Sequence, residues 1–396
     1  MATDRPAGPG HAVAQVWHGG GHFRLTAIAV PDPAPGEAIV RVLVSTVCGS
    51  DRHTVSGRRS APAPSILGHE SVGEVVALHP DGAVAVDGTE LRVGDRVVWG
   101  VTAACGRCDR CAAGRSAKCR RLRKTGHEPL GDRPLSGGFA THVHLPAGVP
   151  IMTVPDAVPD APAALAGCAV ATAVACVDAV RRVVARPRRA LVCGAGLLGV
   201  ASVSALAAAG VEHIEVRDVD PSRVEFARRF GATAGRVVPR DGATPSDAEG
   251  RPGAGDDGAG DGVGFDAAID MSGTPGGVAA CVAALGVGGV AVLAGSVRPH
   301  APVPLDAEVV VRRHVSIVGV HNYEPAHLRD AVRLLAATAS PAPWQEAVDP
   351  PVPLSLLPAL FARTPARLRA AVAPSMPERA DAGTSPSLNK TELERA

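Results

Sequence analysis

The chain has 396 residues, 46% hydrophobic and 20% charged, and its 40 basic and 39 acidic side chains leave a formal charge of +1. That length supports more than one cored domain, and the balance excludes a strong overall field for nucleic acid or anionic lipid. With aromatics at only 3%, the cores have to be filled by Ala, Val and Leu.

The opening stretch, MATDRPAGPGHAVAQ, has no basic region followed by an apolar run, so no secretory signal is expected and the protein reads as cytoplasmic. In a reducing compartment, nine cysteines point to metal or to chemistry before disulfides. The first ~165 residues are rich in Val, Gly and Pro, with strand-like pieces such as EAIVRVLVS and DRVVWG. Within them, VCGSDRHTVSG (47–57) and LGHESVGEVV (67–76) set Cys48 and His69 beside turn-forming glycines. A thiolate and an imidazole both suit zinc. Each alone also reads as a core cysteine or a hydrogen-bonded histidine.

Next comes CGRCDRCAAGRSAKC (105–119), with hardly an apolar anchor. Cys105, Cys108, Cys111 and Cys119 are spaced to wrap one tetrahedral ion, and four thiolates leave no open position, so the site is structural. Free thiols, disulfides or an iron–sulfur cluster are the alternatives. The Ala-rich run 163–177 is too short and too weakly hydrophobic to span a bilayer.

RALVCGAGLLGVASVSALAAAGVEHIEVRD (189–218) reads as strand, glycine turn, helix and second strand. Gly194, Gly196, Leu197, Leu198 and Gly199 form the turn and helix start that would face a pyrophosphate. Asp218 lies nineteen residues past the last glycine, where a carboxylate bonds both ribose hydroxyls and repels a 2′-phosphate, so NAD is favoured over NADP. Arg217 and Arg223 flank it and temper that preference. FDAAIDMSG (265–273) and GGVAVLAGS (288–296) read as two more buried parallel strands. The Gly/Asp-rich segment 240–264 and the tail after Pro374 are expected to be disordered.

The order Cys48-Gly-Ser-Asp-x-His53, then Gly68-His69-Glu70, then a Cys-rich lobe, then GxGxxG, resembles the zinc-dependent alcohol dehydrogenases of the medium-chain dehydrogenase/reductase superfamily. The resemblance runs from about residue 12 to about residue 374. It implies an α/β protein with a GroES-like β-barrel catalytic domain at 1–169, carrying a structural zinc lobe at about 100–125. A Rossmann domain with a doubly wound parallel sheet would fill 170–317, the chain would return to the catalytic domain at 318–374, and 375–396 would be a tail. The combination of GVHNY with GDRVVWGVTAACGRC is similar to a bacterial subgroup proposed to act in phosphonate metabolism.

Carried across by residue, the resemblance implies a catalytic zinc on Cys48, His69 and Cys168, with Cys176 eight residues on as the competing thiol. Glu70 would be an alternate ligand or neighbour of the metal, and Asp51 would fix the His69 tautomer. Ser50 and His53 would relay the substrate proton and Arg369 would bind pyrophosphate; Arg223, beside Asp218, is a candidate cofactor contact that also reads as a solvated surface charge. The implied reaction is hydride transfer from a small-molecule alcohol to NAD, giving an aldehyde or ketone, with two zinc ions per chain and a homodimer or homotetramer. A polyol or amino-alcohol dehydrogenase shares all of this. A non-catalytic zinc module sensing NAD is the alternative of another class, supported by the basic residues Arg107, Arg110, Arg115, Lys118 and Arg120 of the lobe. Tyr323, the only tyrosine, reads as a substrate-pocket, interface or packing residue.

Overall fold

The computed structural model describes residues 10–131, 133–239, 264–297, 299, 301–340 and 342–376. The expected disordered insertion and most of the tail lie outside these residues.

Six parallel strands form one sheet in the order Ala234–Val237, His213–Asp218, Arg189–Cys193, Phe265–Asp270, Leu285–Leu293, Ser316–Gly319. Strand order reverses between Arg189–Cys193 and Phe265–Asp270. Doubly wound sheets bind ligands at that switch point, past the carboxyl ends of the strands. FDAAID and GGVAVL are therefore parallel strands, as read from their apolar runs. Ser316–Gly319, which the sequence division splits at 317, is the sixth strand of this sheet, so the chain leaves the domain only after Gly319.

The other half is antiparallel. Its larger sheet runs Ile151–Thr153, Arg96–Trp99, Glu70–Leu78, Ala38–Thr46, Ala371–Ala373, Val352–Pro353, with His142–Leu145 also paired to Ala38–Thr46. A three-stranded sheet of Phe23–Ala29, His11–Trp17 and Ser65–Ile66 lies beside it. Ala371–Ala373 pairs with Ser45 and Thr46, so the C-terminal segment returns to the catalytic domain and closes the strand that leads to Cys48.

The helix between the halves differs from expectation. Residues Asp160–Val183 run as one 24-residue helical stretch whose most apolar window has a mean hydropathy of 2.0. By length and composition it is apolar enough to cross a bilayer, which corrects the shorter, weaker run read from sequence. In this structure 72% of that window is buried inside the protein. Leu165, Ala169, Ala173 and Cys176 join Val44 and Val72 of the catalytic domain to Val192, Val200 and Leu206 of the Rossmann domain in one core. Alanines let the backbones approach closely, which is how a chain poor in aromatics fills its interior.

The base of the strand Ala38–Thr46 is clamped by Glu37, whose carboxylate lies 2.7 Å from Arg133 Nη1 and 2.7 Å from His144 Nε2. Burial works to raise the Glu37 pKa, but Arg133, the Ala34 N–H and His144 outweigh it and hold the group at about 2, below its ordinary 4.5. A carboxylate with a depressed folded-state pKa stabilises fully above about pH 4.5 and loses that contribution as the pH falls towards 2. Glu37→Gln is expected to cost ~1–3 kcal/mol at neutral pH. Urea denaturation at stepped pH should also show a flatter loss of stability through the acid window, because the variant has no proton to take up there.

Candidate metal and dinucleotide site

The strand Ala38–Thr46 delivers Cys48 to the N-cap of a short helix, Gly49–Val55. Asp51 ties two ligands together. One carboxylate oxygen accepts the Cys48 backbone N–H at 2.9 Å, and the other lies 3.4 Å from His69 Nδ1. His69 Nε2 is thereby turned inward, with Ser50 Oγ 3.2 Å away. Gly68 has φ +94°, and a Cβ there would press on Phe139, so glycine is needed to present His69.

Cys168 comes from a π-turn, Ala166–Val170, set between the α-helices Asp160–Ala164 and Ala171–Val183. The Ala171 N–H, which an α-helix would aim at Gly167, goes to Ala166 and Cys168 instead. Such single-turn insertions recur at functional sites. The thiols of Cys48 and Cys168 and one nitrogen of His69 all lie within 4.8 Å of one another. Cys176, the rival thiol, is fully buried in the core, where burial alone pushes its pKa up to about 12. Spacing could not separate the two; the π-turn does.

The site's electrostatics favour a cation. A hydrogen bond from Cys168, reinforced by Arg369 and His69, draws the Cys48 pKa well below the thiol range against the effect of burial, and the same pairing raises Cys168. Burial disfavours a charged His69, yet Asp51 and Cys48 raise its pKa well above the usual value. Glu70 is fully buried and its pKa is raised by that burial. It accepts from Thr46 Oγ1 at 2.7 Å and from Arg369 Nε at 3.0 Å, while its Oε1 has no hydrogen-bond partner. Two thiols and an imidazole suit zinc, and three protein ligands leave a fourth position for a reacting oxygen. Residue by residue, the expected trio and its neighbours Glu70, Asp51 and Ser50 are brought together. His53 sits one turn along the Ser50 helix, on the same face.

Two residues stand apart from the sequence reading. Arg369, expected at a pyrophosphate, is 8% exposed, paired to Glu70, with Nη2 3.8 Å from Cys48 Sγ. His127, passed over in sequence, packs against His69 with ring centroids 4.9 Å apart and planes tilted by 37°, and burial pushes its pKa well below the usual value. A lone histidine in the turn-like stretch TGHEP (125–129) carries no local signal; the approach of Gly126 to Gly68 brings it here.

In the lobe, the four sulfurs of Cys105, Cys108, Cys111 and Cys119 also lie within 4.8 Å of one another. Cys119 Sγ accepts the N–H groups of Cys105 and Arg121 at 3.3 Å each. Backbone N–H groups of Arg120 and Cys111 lower the Cys108 pKa to about 6, whereas burial lifts Cys111 to about 12. The geometry suits one tetrahedral ion. Of the basic residues, Arg120 is occupied by Asp109 at 2.6 Å and Arg110 by the Lys118 carbonyl at 2.9 Å.

The glycine turn follows the strand Arg189–Cys193. Gly194 has φ +98°, and a Cβ on Gly199 would collide with the Gly194 carbonyl, while Gly196 faces open space. Leu197 and Leu198 open the helix Leu197–Ala208. Asp218, at the end of its strand, accepts the Ala195 N–H at 2.6 Å and the Asp220 N–H at 3.0 Å, which fixes its carboxylate beside the turn. Arg223 lies 3.8 Å from Asp220, and Arg217 is held by Glu215 at 2.7 Å. The π-turn bearing Cys168 packs on the helix Leu197–Ala208, so the trio and the glycine turn share one side of the molecule.

Residues 34–156 match the alcohol dehydrogenase GroES-like domain family, and residues 198–337 match the zinc-binding dehydrogenase family. The 5-exo-hydroxycamphor dehydrogenase of Pseudomonas putida is 38% identical over 208 residues, 52% of this chain and 56% of that protein, so the match spans about half of that relative. The L-threonine 3-dehydrogenase of Aeromonas hydrophila is 30% identical over 310 residues, 76% of this chain and 81% of that protein. The crystal structure of an alcohol dehydrogenase from Thermotoga maritima shares the fold, with a TM-score of 0.80 and 24% identity over 92% of this chain and 99% of that one. The chain belongs to the zinc-dependent alcohol dehydrogenases of the medium-chain dehydrogenase/reductase superfamily, and is an oxidoreductase.

Metal analysis of variants separates the thiols. Cys108→Ser is expected to lose the lobe ion, Cys168→Ser to weaken the other, and Cys176→Ala to keep the wild-type metal content. Gly199→Ala should abolish dinucleotide binding, read as loss of NADH fluorescence enhancement, because the turn cannot close against the strand.

Proposed function

We propose that this chain catalyses the reversible oxidation of an alcohol to an aldehyde or ketone with NAD, using one zinc ion at Cys48, His69 and Cys168 and a second, structural ion in the four-cysteine lobe. The observation that carries this reading is the convergence of the three ligand atoms within 4.8 Å, one of them, Cys168, borne by a π-turn packed against the glycine-turn helix. Zinc held by these residues would supply Lewis acidity that lowers the pKa of a coordinated hydroxyl.

The chain's own groups do the rest. Asp51 orients His69, and Ser50 stands where it can take the substrate proton and pass it along its helix to His53 and solvent. Buried Val, Leu and Ala side chains from both domains keep the seam between them dry. Asp218, held beside the glycine turn by the Ala195 N–H, would accept ribose hydroxyls and repel a 2′-phosphate, which supports NAD over NADP.

The test is to measure bound zinc and then follow NADH formation against primary, secondary, polyol, amino-alcohol and phosphonate alcohols. Two ions per chain and turnover of at least one class support the reading, and one ion with no turnover sinks it in favour of a sensing module. The similarity to L-threonine 3-dehydrogenase over 76% of the chain favours an amino-alcohol or polyol as the second reading. Asp218→Ala should raise the KM for NAD roughly tenfold or more, the worth of charge-assisted bonds to the ribose, and narrow its advantage over NADP. An unchanged cofactor ratio in steady-state kinetics would remove the ribose role.

A further inference from the structure

The segment His321–Glu324 follows the last parallel strand and touches both metal sites while contributing a ligand to neither. Asn322 takes φ +59°, a left-handed turn that lets neighbouring side chains diverge. Towards the lobe, the Glu324 carboxylate accepts the backbone N–H of Ser116 at 2.9 Å and of Ala117 at 3.0 Å, and also the Ser116 hydroxyl. Asn322 Nδ2 donates to the Ala117 carbonyl at 3.3 Å, and Lys118 Nζ lies 2.7 Å from His321 Nδ1. These partners form the 3-10 turn Ser116–Lys118, which ends at the lobe ligand Cys119.

Towards the other site, Tyr323 is 5% exposed and its hydroxyl donates to the carbonyl of Gly167, the residue before Cys168. Gly167 is pinned from another direction, because a Cβ there would strike the Trp99 carbonyl. Gly100 lies beside the Tyr323 hydroxyl and is needed as glycine because a Cβ there would strike the Pro150 ring. Glu324 also caps the helix Pro325–Ala337 through a reciprocal bond with His327, and that helix packs on the same π-turn.

We infer that His321–Glu324 is a tether through which the metal-loaded lobe holds the π-turn in its ligating shape, with Tyr323 as the positioning residue for Cys168. The tether rests on the two-ion reading proposed above. A π-turn is rare because it gives up the regular i→i−4 pairing, and the side-chain bond that meets it here, from Tyr323 to Gly167, comes from a segment whose other side is locked to the lobe. Formation of the lobe therefore sets how firmly the distant open ion is held.

Tyr323→Phe keeps the ring and removes the hydroxyl. The purified, zinc-loaded variant should release its catalytic ion to a chromogenic chelator roughly three- to tenfold faster than wild type, the worth of one buried hydrogen bond, with the lobe ion released at an unchanged rate. Cobalt substituted at the open site should show a shifted visible spectrum, which loss of general stability alone would not produce. Glu324→Gln touches no ligand of either ion, yet should also speed release of the catalytic ion, and should add nothing further in the Tyr323→Phe background. Unaltered cobalt spectrum and release rate in Tyr323→Phe would overturn the tether, as would additive effects in the double variant. If Tyr323→Phe does not fold, Glu324→Gln alone decides: a catalytic ion released at the wild-type rate overturns it. Wild-type protein binding fewer than two ions would instead refute the underlying site assignment, so the two failures are distinct.

Discussion

Charge removed from water is the constraint from which the rest follows. Cys48, His69, Cys168, Glu70 and Arg369 meet in a region where Glu70 is fully buried and Cys48 and His69 nearly so. An isolated buried ion costs several kcal/mol even after relaxation, so each of these groups has to be answered by another. Arg369 answers Glu70 and leans on Cys48; Asp51 answers His69. The thiols of Cys48 and Cys168 face each other beside His69, an arrangement that a divalent cation would relieve. One continuous aliphatic core spans both domains beside it, which raises the cost of leaving any of these charges unanswered.

That core explains the architecture as well as the site. A chain with 3% aromatics cannot fill a wide gap between two sheets. It brings them close with an Ala-rich helix instead, so the helix that joins the domains also carries Cys168, the proposed third ligand, at its irregular turn. Ligand placement and domain packing are consequently the same event. Leu197 and Val200 of the glycine-turn helix and Leu165 of the helix that bears Cys168 belong to one cluster, so the glycine turn and the Cys48–His69–Cys168 trio rest on shared packing.

Much of this was legible from local spacing. The four lobe cysteines, the GxGxxG turn with Asp218, and the two strands after it are patterns whose meaning lies within thirty residues, and each has its expected place. What escaped depends on contacts distant in sequence. Spacing does not separate Cys168 from Cys176; the family resemblance selects Cys168, and the π-turn is what brings it within 4.8 Å of Cys48 and His69. Arg369 reaches Glu70 across 299 positions, and Ser116 reaches Glu324 across 208, so neither pairing has a sequence signature. His127 enters the site because Gly126 fits against Gly68. The packed helix was underestimated because its apolar run was counted from Ala163, whereas helical structure begins at Asp160 and continues through the irregular turn to Val183.

The π-turn at Ala166–Val170 has an evolutionary corollary. A π-turn amounts to one residue inserted into an α-helix, so deleting a single residue there would restore regular periodicity. It would swing Cys168 by about 100° around the helix axis while the flanking turns kept their packing. A lineage of this fold could therefore lose its open ion through one codon deletion and retain the rest of the molecule, with its dinucleotide turn and lobe intact.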